Sequence, residues 1–161
     1  YNLWRPVLGI READPGWGEA IKDILQPGGD GNPETEGDPY WLPLGAPKTN
    51  EPGQKNFTPG FPAYPSGHAT FGAAALDMVR LFYNSDTIGF SFVSDELNGE
   101  SMDVDGSVRT YHRRSFSRLS DAIDENGRSR VYLGVHWQFD ADAGIVSGKK
   151  IADYLYSNFL N

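Results

Sequence analysis

Cysteine is absent from this chain. Disulfides and thiolate metal sites are therefore excluded, and the compartment stays open, because a cysteine-free protein suits oxidising and reducing surroundings alike. A chain without thiols also has none to lose to a strong oxidant. Long hydrophobic runs are missing as well: no stretch approaches the roughly 20 apolar residues of a membrane-spanning helix, so no membrane span is expected. Positive charge is in the minority, with 14 Lys and Arg against 22 Asp and Glu. The net charge of −8 repels polyphosphate surfaces and argues against nucleic acid as a partner. Any anion site must be a local concentration of cations. The opening segment, YNLWRPVLGIREADPG, has no Met, no basic n-region and no small-residue cleavage site. It is not a signal peptide, and the expectation is a portion of something longer.

What is present fits one domain, since 161 residues suffice to bury a core. Gly and Pro concentrate in QPGGDGNPETEGDP (26–39) and APKTNEPGQKNFTPGFPAYP (46–65), so residues 1–65 are expected to be mostly loops and 66–161 helical. The acidic stretch 30–39 is expected to be partly mobile. Phe71, Ala74, Ala75, Met78, Leu81 and Phe82 recur at helical spacing and predict a helix over 67–83 with that face buried. Residues 88–94 read as a short extended piece, and 95–100 as the start of another helix. Phe116, Leu119, Ile123, Arg130 and Leu133 share one face of a helix over 115–133, which directs Arg130 into the core. Ala141, Ile145, Gly148, Ala152, Leu155 and Phe159 predict a helix over 138–159 packed along its whole length. The fold expected is an all-α helical bundle wrapped by long Gly/Pro-rich loops.

The stretch YPSGHAT (64–70) opens the first of these helices. A helix start offers unpaired backbone N–H groups and a positive dipole end, Ser66 adds a hydroxyl, and Gly67 lets an anion approach its amide. His68 lies three and seven positions before Phe71 and Ala75, so its ring is expected on the buried face at the helix mouth. Taken alone, the plainer reading is an ordinary Ser N-cap followed by a satisfied histidine. In SRVYLGVHWQFD (129–140), Arg130 and His136 are six residues apart and converge only if the helix ends between them, which Gly134 permits. Asp140, four residues after His136, could hold one imidazole nitrogen and so choose which nitrogen faces a ligand; the alternative is a helix-surface pair. Arg5 precedes Pro6 and is biased to extended backbone, which alone is compatible with a surface arginine.

Together, R-P, then P-S-G-H, then S-R-x5-H-x3-D resembles the signature of the superfamily of vanadium haloperoxidases and type 2 phosphatidic acid phosphatases (acid phosphatases). The segments GDPYWLPLGAPKTN, FPAYPSGHATFGAAALDMVRLFYN, DELNG and SRVYLGVHWQFDA look like the C-terminal part of fungal-type vanadium chloroperoxidases and their bacterial relatives. The resemblance covers most of the chain and is weakest over 12–36 and 101–115. It implies a helical bundle holding vanadate or phosphate. Arg5 and Arg130 would grip the oxyanion, Ser66 and the Gly67 amide would complete the cradle, His136 would bond vanadium, and His68 would be the acid–base group. The family also places a lysine seven residues before the first arginine, a position upstream of Tyr1. A partner segment N-terminal to this chain, or a separate chain, is therefore expected to carry it and to cover apolar faces such as 141–159.

The activity implied is oxidation of halide by hydrogen peroxide to hypohalous acid, with vanadate as Lewis acid. Phe61 matches a family aromatic near the halide path; the alternative is a core phenylalanine. The same cradle would serve hydrolysis of phosphomonoesters through a phosphohistidine on His136. A further alternative is an inactive anion-binding fragment.

Overall fold

A computed structural model describes residues 3–11, 36–44, 58–103 and 105–160. The Gly/Pro-rich loops and the acidic stretch expected at 26–39 and 46–65 lie largely outside these residues. Near the N-terminus a short helix, α1 (Pro6–Arg11), stands where loops were expected; proline suits a first helical position, where its missing N–H would be unpaired anyway. The main helices are α2 (Gly67–Phe82), α3 (Leu119–Tyr132) and α4 (Gln138–Leu155), the last running into a π-helical turn, Tyr156–Leu160. Between α2 and α3, strands β1 (Phe90–Val93) and β2 (Arg113–Phe116) pair antiparallel, with Phe90 opposite Phe116. The helical bundle is thus as expected, with one small hairpin added. Among the described residues, no helix is long and apolar enough to cross a membrane.

The buried face of α2 differs from the one expected. Ala69, Ala73 and Asp77 are buried, while Phe71 and Phe82 are exposed. The reason lies on α4, whose buried face is Asp140, Ala141, Gly144, Gly148 and Ala152. A Cβ on Gly144 would stand 2.6 Å from the Ser66 carbonyl and 2.9 Å from the Ala69 Cβ. One on Gly148 would stand 2.7 Å from the Ala73 Cβ and would also collide with the Thr70 carbonyl. Small residues on both helices let the backbones touch, so the large apolar side chains of α2 point elsewhere. Contacts that advance together along both sequences also make α2 and α4 parallel. At the other end of α4, Leu155 and Phe159 are exposed, so the helix is not packed along its whole length.

Helix α3 starts at Leu119 and not at 115, because residues 113–116 are held in β2. There Phe116 stacks on Phe90 and Phe92, with ring centroids 5.4 and 6.3 Å away. No local side chain caps α3. Asp86 does so from 34 residues upstream: its carbonyl accepts from Leu119 N, and its carboxylate accepts from Ser120 N (2.9 Å) and Ser120 Oγ (2.7 Å). The helix expected at 95–100 is absent: Asn98 Oδ1 accepts from Glu100 N and Ser101 N, and Gly99 at φ +80° turns the chain away. Leu119, Ala122 and Ile123 of α3 complete the core with Ala63, Ala69, Ala73, Val135, Ala141 and Ala152.

Candidate active site

The first turns of α2 and α4 and the last turn of α3 meet at one end of the bundle. Ser66, fully buried, caps α2: its Oγ accepts from Ala69 N at 3.4 Å. Its own N–H donates to the Asp140 carbonyl at 3.0 Å, which ties the start of α2 to the start of α4. Beyond Gly67 the space is open; a Cβ there would meet nothing within 4 Å.

Helix α3 ends as its glycine predicts. Gly134 takes φ +70°, its N–H donates to the Val131 carbonyl, and Val135 N donates to the Arg130 carbonyl at 3.2 Å. These are the two bonds of a Schellman turn. The turn reverses the chain and delivers His136, also bonded through its backbone N–H to the Arg130 carbonyl, into the interior. Trp41 packs where a Gly134 side chain would stand, 2.7 Å from a notional Cβ.

His136 is held from both sides. Its Nδ1 lies 3.0 Å from Asp140 Oδ1, and its Nε2 lies 2.9 Å from Arg5 Nη1. A guanidinium only donates, so Nε2 is the acceptor and Nδ1 carries the proton that it donates to Asp140. The carboxylate is itself anchored: the second oxygen of Asp140 accepts from Trp137 N at 3.2 Å. The ring therefore presents a lone pair, not a proton, at Nε2.

Arg5 is buried beside it. Its Nη1 also donates to the Val135 carbonyl at 2.8 Å, and its Nε donates to the Phe61 carbonyl at 2.9 Å. Its Nη2 is buried with no hydrogen-bond partner among the described residues. Desolvation pushes the pKa of Arg5 down, against the opposing charge of Asp140. A buried guanidinium nitrogen without an acceptor calls for an anion. Phe61 is exposed and lies beneath the guanidinium, 4.7 Å from ring centroid to Cζ, so it is not a core residue.

Arg130 and His68 differ from expectation in burial. Arg130 is half-buried, not sunk in the core, because it lies in the last turn of α3, beyond the buried run Leu119, Ala122, Ile123 and Gly127. Its Nε donates to Ser129 Oγ at 3.1 Å, and burial lowers its pKa while Glu96 raises it. His68 is exposed, since it shares the outward face of α2 with Phe71. Partial burial, then the charges of Arg130, His136 and Arg5, hold its pKa below the ordinary 6.5. That field places His68 among the same cations and favours a neutral imidazole.

Several supporting residues escaped the sequence reading. Trp137 Nε1 donates to the Trp4 carbonyl at 2.8 Å, fixing the backbone beside Arg5. Asn126 Nδ2 donates to the His68 carbonyl at 2.8 Å. Asn126 had a usable signal, since it lies four residues before Arg130 on the same helix face; the tryptophan contact, across 133 residues, had none.

The profile of the VCPO second helical-bundle domain matches residues 1–161. The chain belongs to this family. Vanadium chloroperoxidase of Curvularia inaequalis is 40% identical over 167 residues, covering 89% of this chain. The match covers only 24% of that protein, so the chain spans about a quarter of its curated relative. Among solved structures, apo-type and holo-type bacterial vanadium-dependent chloroperoxidases each align with a TM-score of 0.53 and 23% identity, over 62% of this chain and 21% of theirs. At that identity the structural likeness speaks for the helical-bundle fold alone.

Proposed function

We propose that this VCPO-family chain forms the vanadate-binding part of a haloperoxidase that oxidises halide with hydrogen peroxide to hypohalous acid. The observation that carries the reading is an unsatisfied donor beside a fixed lone pair in one buried place. The donor is Arg5 Nη2, without an acceptor among the described residues, and the lone pair is that of His136 Nε2, whose tautomer Asp140 fixes and which Arg5 Nη1 contacts. An oxyanion with a Lewis-acidic centre would take up the free donor and bond to the lone pair in place of the Arg5 contact.

Arg5 and Arg130 would hold the oxygens as planar forks, with Ser66 Oγ and the Gly67 amide as neutral donors. His136 would supply the one bond to vanadium. When bound, vanadate would supply Lewis-acid activation of peroxide without change of oxidation state. His68, whose pKa is held down first by partial burial and then by its cationic neighbours, is suited to accept a proton from incoming peroxide. Phe61, exposed beneath Arg5, would line the halide path. A preceding helical segment of the same protein would bring a lysine to the oxyanion and cover the exposed apolar faces.

Phosphomonoester hydrolysis is the second reading, because a lone pair at Nε2 is equally suited to attack phosphorus. The full-length protein should be titrated with orthovanadate in a monochlorodimedone halogenation assay, and the same sample assayed with p-nitrophenyl phosphate. Vanadate-dependent halogenation is the expected result. Phosphatase activity without it would establish the second reading, and neither activity would leave an anion-binding fragment.

A further inference from the structure

Helices α2 and α3 are bridged near the site by one side chain. Asn126 Nδ2 donates to the His68 carbonyl at 2.8 Å, linking residues 58 positions apart. The amide occupies room that only glycine leaves: a Cβ on Gly72 would collide with Nδ2 and stand 3.0 Å from Cγ. The bridge continues towards Arg130. The Asn126 carbonyl accepts from Ser129 Oγ at 2.8 Å, and Ser129 Oγ accepts from Arg130 Nε at 3.1 Å. Two links thus meet at Asn126: its backbone carbonyl is tied through Ser129 to the Arg130 guanidinium, and its side-chain amide reaches the backbone of His68.

We infer that Asn126 is a positioning residue, which sets the first turn of α2 against the last turns of α3 and so fixes His68 relative to Arg130 across the bound oxyanion. His68 has special need of such a tie. Its side chain is exposed, so packing does not fix it, and the backbone that carries it sits at a helix end, where fraying is greatest. Ser66 and the Gly67 amide share that turn, so oxyanion affinity depends on the bridge as well. Gly72 belongs to the same device, as the gap that lets α3 reach α2.

The inference rests on the proposed oxyanion site, and the test separates the two. In the full-length protein, Asn126→Ala should lower kcat for halide oxidation by about 10- to 100-fold, the scale for an acid–base group displaced by about 1 Å. KM for halide should stay unchanged. Inorganic orthophosphate, titrated against tryptophan fluorescence without vanadate, should bind more weakly by roughly 2- to 13-fold, the factor equivalent to one hydrogen bond of ordinary net strength. Gly72→Ala gives the second arm: alanine suits a helix interior, so α2 persists while the new methyl displaces the Asn126 amide. It should reproduce both changes. Wild-type kcat and phosphate affinity in either folded variant, with only a lower Tm, would reduce Asn126 to a structural staple. If the wild-type protein binds neither orthophosphate nor orthovanadate, the oxyanion site and this inference fall together.

Discussion

At the end of the bundle where α2 and α4 begin, Arg5, Ser66, His136 and Asp140 are buried; at the end where they finish, Phe82, Tyr83, Tyr154, Leu155, Phe159 and Leu160 are exposed. The first end buries polar groups and joins nearly all of them by hydrogen bonds, leaving Arg5 Nη2 without a partner among the described residues. The second shows water the side chains that ordinarily make a core. Polar groups are buried where bonds between them offset the cost of leaving water, and the bonds left unmade indicate the ligand. Large apolar groups exposed in one cluster indicate a surface that something else covers. The two ends are incomplete in opposite senses.

The largest effect is expected at the polar end. His136→Ala in the full-length protein removes the lone pair and leaves only hydrogen-bond donors, so orthovanadate affinity should fall by more than the ~10- to 100-fold typical of outer-shell changes. Equilibrium titration would show it, and unchanged affinity would remove His136 from the site. Asp140→Asn should have a smaller effect, about 10- to 100-fold in vanadate affinity, because it frees the imidazole tautomer without deleting the nitrogen. Retained affinity there would mean that the Nδ1 bond does not set the ring.

The apolar end gives the third prediction. If the preceding segment covers it, Phe159→Ser in the full-length protein should cost about 1.5–3 kcal/mol in chemical denaturation. A change within about 0.5 kcal/mol would mark an open surface instead.

The smallest effect concerns protons. The folded pKa of His68 is depressed below 6.5, so as pH falls the unfolded chain takes up its proton first. The stability due to this group is full above 6.5 and is lost as pH falls from there through the folded value. A bound oxyanion opposes the field of Arg130 and Arg5, so orthophosphate should raise the His68 pKa, read from its Hε1 NMR signal. A pKa that does not move would separate His68 from the anion.

Much of this was legible in the sequence. Helices α2, α3 and α4 follow from periodicity, and Gly134 correctly announced the turn that delivers His136 towards Asp140. What failed was the choice of α2's buried face. Hydrophobic periodicity favours large residues such as Phe71 and Phe82, whereas the closest helix contact here uses Ala69 and Ala73 against Gly144 and Gly148. Strand β2 was hidden because Phe116 fits the helical spacing of Leu119 and Ile123 as well as it fits a hairpin stack on Phe90. The burial of Arg130 was overstated because spacing gives a face, not a depth.

The remote cap on α3 bears on the order of folding. This helix carries Gly127 at its middle and no side-chain cap of its own, while its first turn is held by Asp86, beyond the whole β1–β2 hairpin. An isolated α3 nucleates poorly, and its missing bonds form only after a 34-residue loop has closed. Helix α2, with Ser66 as a local cap, has no such wait. Asp86→Ala should therefore slow the appearance of oxyanion binding during refolding more than the appearance of helix.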